Sequence, residues 1–128
     1  MYEQNVVSES FIASTDLRSH QYKIVDFAAA DFKVTLAAAN KGYGVVHTGG
    51  NAGEHVSIAT DGIVMVMTGA AVLRGEELTA AATGFAVTAA SPTLAAGQMV
   101  IGTALVGAAS GMLAPVRLRR YYRVASNV

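Results

Sequence analysis

Cysteine is absent from this chain, and charge is scarce. Without thiols there is neither a disulfide framework nor a thiolate metal site. Charged residues make up 14% of the 128 positions, against about a quarter in ordinary globular proteins. The formal net charge is zero, so the domain as a whole has no electrostatic reason to seek a polyanion. Signatures of catalysis are missing as well. There is no Gly-x-Ser-x-Gly elbow and no His-Glu-x-x-His helix. The glycine-rich Gly49–Gly53 lacks the Lys-Ser/Thr that a phosphate cradle needs, so it reads as a turn. Met1–Gln4 is not basic and no apolar run follows, so no signal peptide is expected there.

The remaining candidates for chemistry are thin. His47 and His55 flank a hairpin loop at a spacing that could hold a metal, but a third ligand would have to be Glu54 or Asp61. They are expected to be polar hairpin residues, and His20 a surface residue. Glu76 and Glu77 adjoin on an expected strand, so their carboxyls point to opposite faces and make no acid–base pair. No enzymatic activity, cofactor or metal is expected.

What the chain does have is apolar residues and strand punctuation. Hydrophobic residues reach 52%, inflated by 24 alanines, which implies one domain with a core of small side chains. Residues 21–27, 32–36, 42–47, 55–59, 63–67, 72–73, 77–80, 85–88, 98–106 and 112–122 read as strands. Strands at intervals near ten residues imply an all-β fold, a small antiparallel barrel or sandwich. A phrase recurs every 22 residues, at Gly53-Glu54, Gly75-Glu76 and Gly97-Gln98, which admits a β-solenoid as an alternative.

Three regions are expected, with residues 20–118 as the body. Residues 1–19 are serine-rich, with isolated Val6, Val7, Phe11 and Ile12, and read as an extended arm or a disordered terminus. Fully extended, such an arm reaches roughly 65 Å. Its four apolar residues are the expected contacts with a neighbour. Residues 119–128 form a basic, aromatic tail.

Within the body, Ile63–Met67 is apolar on both faces. One face meets the core, and Ile63, Met65 and Met67 are expected to meet another subunit. The tail region carries Arg117, Arg119, Arg120, Tyr121, Tyr122 and Arg123. Cations mixed with aromatics suit single-stranded nucleic acid, an acidic protein surface, or plain solvent. Five acids in residues 1–31 against the four arginines of 117–123 favour head-to-tail contact between copies. From Leu78 to Val116 there is no charge, and 94–116 is long enough to cross a bilayer. Four glycines, a proline and Gln98 argue against that helix.

Several phrases, in order, carry a resemblance. They are Asp16-Leu17 with Gln21-Tyr22 and Phe27, Gly44-Val45-Val46, Ala52-Gly53-Glu54 with Val56 and Ile58, and Gly62 with Val64 and Val66. Arg74-Gly75-Glu76 with Leu78, Val100-Ile101-Gly102 with Ala104-Leu105, and Val116 with Leu118 complete the set. Across about residues 16–118 the chain resembles the decoration, or cement, proteins of tailed-bacteriophage capsids. The resemblance implies a structural virion protein with a small β-barrel or β-tulip-like body. It implies a place on the outer surface of the head, after synthesis in the bacterial cytoplasm. The implied partners are the major capsid protein and other copies of the chain, usually as a homotrimer, with no nucleic acid and no membrane. The alternatives are a β-rich module binding nucleic acid or glycan, and a small membrane protein.

Overall fold

A computed structural model describes residues 3–89 and 97–124 of the chain. Among the described residues there are nine strands: β1 (Gln4–Ala13), β2 (Ile24–Phe27), β3 (Lys33–Leu36), β4 (Gly44–Thr48), β5 (His55–Met67), β6 (Glu77–Ala80), β7 (Ala86–Thr88), β8 (Gly97–Ala104) and β9 (Leu113–Val124). All nine join one sheet in the order β1-β3-β2-β4-β5-β9-β8-β6-β7. The all-β expectation holds. The sheet curls until both margins come back to its middle strand. At one margin β1 runs antiparallel along β5, from Gln4 opposite Ile63 to Ile12 opposite His55. At the other, Thr68, just past β5, bridges Ala86 of β7. The joint between β1 and β3 is only two residue pairs long.

This curling explains a pattern of apolar doublets. Ile24-Val25, Val45-Val46 and Ile58-Ala59 each have both members fully buried. Successive side chains of a strand point to opposite faces, so a buried doublet needs cover on both sides. One member of each doublet enters a cluster with Val64, Leu78, Ile101 and Val116. The other enters a smaller cluster with Phe11, Leu17, Val34 and Val56. The two cores therefore lie on opposite faces of β2, β4 and the first half of β5. Leu17 is held in its core by the turn around it. Arg18 Nε and Nη2 donate to the two carboxylate oxygens of Asp16 at 2.9 and 2.8 Å, and the Arg18 backbone N–H donates to Asp16 Oδ1.

Two expectations change, and two alternatives give way. Residues 4–13 do not extend away from the domain; they are β1, paired with β5. Residues 55–59 and 63–67 are one strand, not two separated by a glycine turn. Gly62 lies inside β5, with φ of 96°, opposite a bulge of β1 in which Asn5, with φ of 52°, and Val6 face this single residue. Residues 97–104 and 113–116, within the stretch long enough for a membrane span, are β8 and the start of β9. No helix among the described residues is long and apolar enough to cross a membrane. The solenoid also gives way, because the strand pairings are antiparallel apart from β1–β3 and the Thr68 bridge.

What repeats is a turn. In Asn51–Glu54 and Leu73–Glu76 the glutamate backbone N–H donates to the carbonyl three residues back. The glutamate Oε1 accepts the backbone N–H of that same residue, at 2.6 and 2.7 Å. Gly53 and Gly75 supply the left-handed φ, 85° and 88°, that each turn requires.

Gly53 and Gly62 share that backbone region but not their surroundings. A Cβ at Gly53 meets nothing within 4 Å, whereas at Gly62 it falls 2.3 Å from the Asn5 carbonyl oxygen. Gly53→Ala should therefore cost roughly 1 kcal/mol, the intrinsic penalty alone. Gly62→Ala should cost roughly 3 kcal/mol or more, because backbone must move as well. Urea unfolding of both variants checks the ranking, and equal losses would show that the bulge yields freely.

Candidate functional site

The residues expected to contact a neighbour divide sharply by exposure. On β1, Phe11 is buried, Val6 is half-buried against the core, Ile12 is half-buried and Val7 is exposed. Phe11 lies edge-on to Tyr43 and Phe27, with centroids 5.6 and 6.0 Å away. Phe27 and Tyr43 approach to 4.6 Å. The Tyr43 hydroxyl donates to Glu9 Oε1, and the Arg120 guanidinium sits 5.3 Å from the Tyr43 centroid. This cluster fastens β1 to the body by packing and by a charge-assisted hydrogen bond.

A second fastening lies at the start of the strand. Glu3 accepts from His47 Nε2 at 3.0 Å through one carboxylate oxygen and from the Met65 backbone N–H at 3.1 Å through the other. Between these points, residues 4–10 are exposed except for Val6. Among the described residues, no strand pairs with them on the edge away from β5. Sequence reasoning missed Glu3, Glu9 and Tyr43 as anchors, because their partners lie far along the chain.

Ile63, Met65 and Met67 share one face of β5, as expected. Met65 is nevertheless buried within its own chain, while Ile63 and Met67 are half-buried. Cover by a second copy is thus not needed to explain Met65. Directly opposed residues of antiparallel strands present side chains to one face. Met65 is opposite Pro115, and the Leu105 backbone N–H donates to the Pro115 carbonyl, so one apolar row crosses β5 and β9 to the end of β8. The neighbouring row is Ile63, Arg117, Thr103 and Glu77. Val64, Val116 and Ala104 form the row facing the core, all buried.

Beyond these rows the loop 105–112 exposes Val106 (54%) and Met112 (56%), beside Leu105 (38%). Fully buried Thr68 pins that loop. Its Oγ1 lies 2.7 Å from the Ala109 carbonyl and 2.9 Å from that of Met112, and it accepts the Met112 backbone N–H. The exposed residues are therefore held in place. The only signal of this surface in the sequence is the uncharged run from Leu78 to Val116.

Residues 119–124 of the basic tail are the end of β9, paired with β8 from Val100 opposite Tyr121 to Gly97 opposite Val124; residues 125–128 lie outside the described residues. Its arginines are not equivalent: Arg117, Arg119 and Arg120 are exposed, as are Tyr121 and Tyr122, and Arg123 is half-buried, but Arg120 Nε also donates to the Gly42 carbonyl at 2.8 Å. The histidines do not converge. His47 engages Glu3, His55 Nδ1 lies 3.3 Å from Ser10 Oγ, and His20 Nδ1 lies 2.9 Å from Lys23 Nζ. Among the described residues, no three metal-ligating side chains come together.

The hydrogen bond to Glu9, with burial adding, raises the Tyr43 phenol above the ordinary value of 10.0. Folding thus favours the neutral phenol. Its contribution is complete below the unfolded value and is lost as pH climbs through the raised folded one. Thermal midpoints should fall from about pH 9 to about pH 11, and Tyr43→Phe should flatten that decline. An identical slope in the variant would remove Tyr43 from the account.

Solved structures share this architecture. The head fiber gp8.5 N base in bacteriophage phi29 superposes with a TM-score of 0.69 at 21% identity. The match covers 89% of this chain and 94% of that one. A search of the curated proteins finds no match. At the level of sequence families, the phage cement protein family matches residues 4–119, nearly everything the structure describes. Matched over that span, this chain is a member of the phage cement protein family, a family of structural proteins of the virion.

Proposed function

We propose that this chain decorates the outer surface of a phage head, bound to the major capsid protein at junctions between capsomers. There it braces the shell against the pressure of packaged DNA, as a homotrimer at a three-fold or quasi-three-fold position. The family match over residues 4–119 is the observation that carries this reading. The fold is compatible with it: a sheet whose two margins return to one long strand resists shear better than an open sheet would. The fold neighbour from bacteriophage phi29 is itself described as part of a head fiber.

The contact we assign to the shell is the outer edge of β1. Residues 4–10 present backbone donors and acceptors that no described strand pairs on that side, together with exposed Val7. Such an edge takes an added strand from a partner, with main-chain hydrogen bonds supplying affinity. Phe11 and Ile12 serve the fold and position this edge.

Two measurements test the reading. The purified chain should co-sediment with expanded heads and saturate at a fixed ratio to the shell protein; binding that never saturates would sink it. Val7→Asp should keep the circular dichroism and thermal midpoint of the parent while lowering head occupancy about tenfold or more, equivalent to roughly 1.4 kcal/mol. Full occupancy by that variant would remove β1 from the contact.

A further inference from the structure

The surface formed by the outward rows of β5, β9 and β8 has no described partner. Its apolar part runs from Met67 and Leu113, which are opposed, through Pro115 to Leu105, and on to Val106 and Met112. It is rigid, because the loop carrying Val106 and Met112 is tied to buried Thr68 and to Val72. The Val72 and Ala108 backbones exchange two hydrogen bonds at 2.9 and 3.0 Å. An exposed, fixed apolar patch marks an interaction site.

Its charges indicate the partner. The row of Ile63, Arg117, Thr103 and Glu77 carries one cation and one anion on either side of Thr103. Two strand spacings separate them, about 10 Å. Among the described residues, neither takes part in an ion pair. Arg74, beside Leu105 and Val106, adds a second cation at the rim. A face that carries a cation and an anion two strands apart is complementary to another copy of itself, each charge meeting its opposite. Around a symmetry axis, Arg117 of one copy can lie against Glu77 of the next while the uncharged rows pack without repulsion.

We infer that the outward face of β5, β9 and β8, centred on Pro115, Leu105 and Val106 and flanked by Arg117 and Glu77, is the surface through which copies of this chain assemble. The inference rests on the head-protein reading only for where copies are brought together; its test uses the free chain.

Sedimentation velocity of the full chain, from about 1 µM to about 100 µM, should show concentration-dependent assembly. Val106→Glu and Met112→Asp alter side chains already more than half exposed, so both should fold as the parent does and sediment as monomers, with association weakened tenfold or more. Arg117→Glu should also weaken assembly, and Arg117→Glu combined with Glu77→Arg should restore it. Monomeric behaviour of the parent at every concentration overturns the inference, and so does undiminished assembly of both exposed variants. Loss of head binding by these variants alongside a monomeric parent would assign the face to the shell and likewise overturn it. Assembly that is intact and sensitive to the variants, with no head binding by the parent, would sink the decoration reading and leave this contact standing.

Discussion

The structure depends on β5 having its backbone hydrogen bonds satisfied along both edges. On one side it is paired with β4 and then β9. On the other it is paired with β1, and where β1 stops, the Glu3 carboxylate and the Tyr22 carbonyl accept the backbone N–H groups of Met65 and Met67. A buried strand cannot leave those groups unpaired without a loss comparable to a whole hydrogen bond each. The requirement forces both margins of the sheet to come back to β5, and the two cores are what that return encloses.

Small side chains make the arrangement possible. Ala37, Ala59, Ala80, Ala86 and Ala104 are buried in the larger core, where sheet faces meet closely. The resulting body has little polar business inside it. Thr68 and Thr79 are buried with their hydroxyls satisfied by backbone carbonyls. Charge is left to the periphery, where the Glu3, Glu9 and Asp16 carboxylates each hold a segment in place.

Much of this was legible in the sequence, and the failures are physical ones. Strands β2 to β4 and β6 to β9 show as apolar runs between turn residues, because side-chain burial is what periodicity reports. Residues 4–10 of β1 carry almost no such signal, since backbone pairing rather than buried side chains holds them. Gly62 looked like punctuation because a glycine facing a bulge and a glycine in a turn satisfy the same need for positive φ. The double-sided apolarity of Ile63–Met67 matches one fully buried face, Val64 and Val66, and one partly covered face, Ile63, Met65 and Met67. It could not show that Met65 is covered within its own chain. The family resemblance was readable because its phrases fall on the two Gly-Glu turns and the buried doublets, which the fold needs in that order.

The dependence on β5 also dictates an order of assembly during synthesis. When β5 leaves the ribosome, β1 and β4 are already available, but β9, which covers its second half, is made much later. Until then Val64 and Val66 have no opposite row. Chain closure over long separations is slow, and an open apolar strand edge invites the wrong partner. The nascent chain is therefore most vulnerable to aggregation in the interval before residues 113–118 arrive, and least so once Leu118 has paired with Gly62.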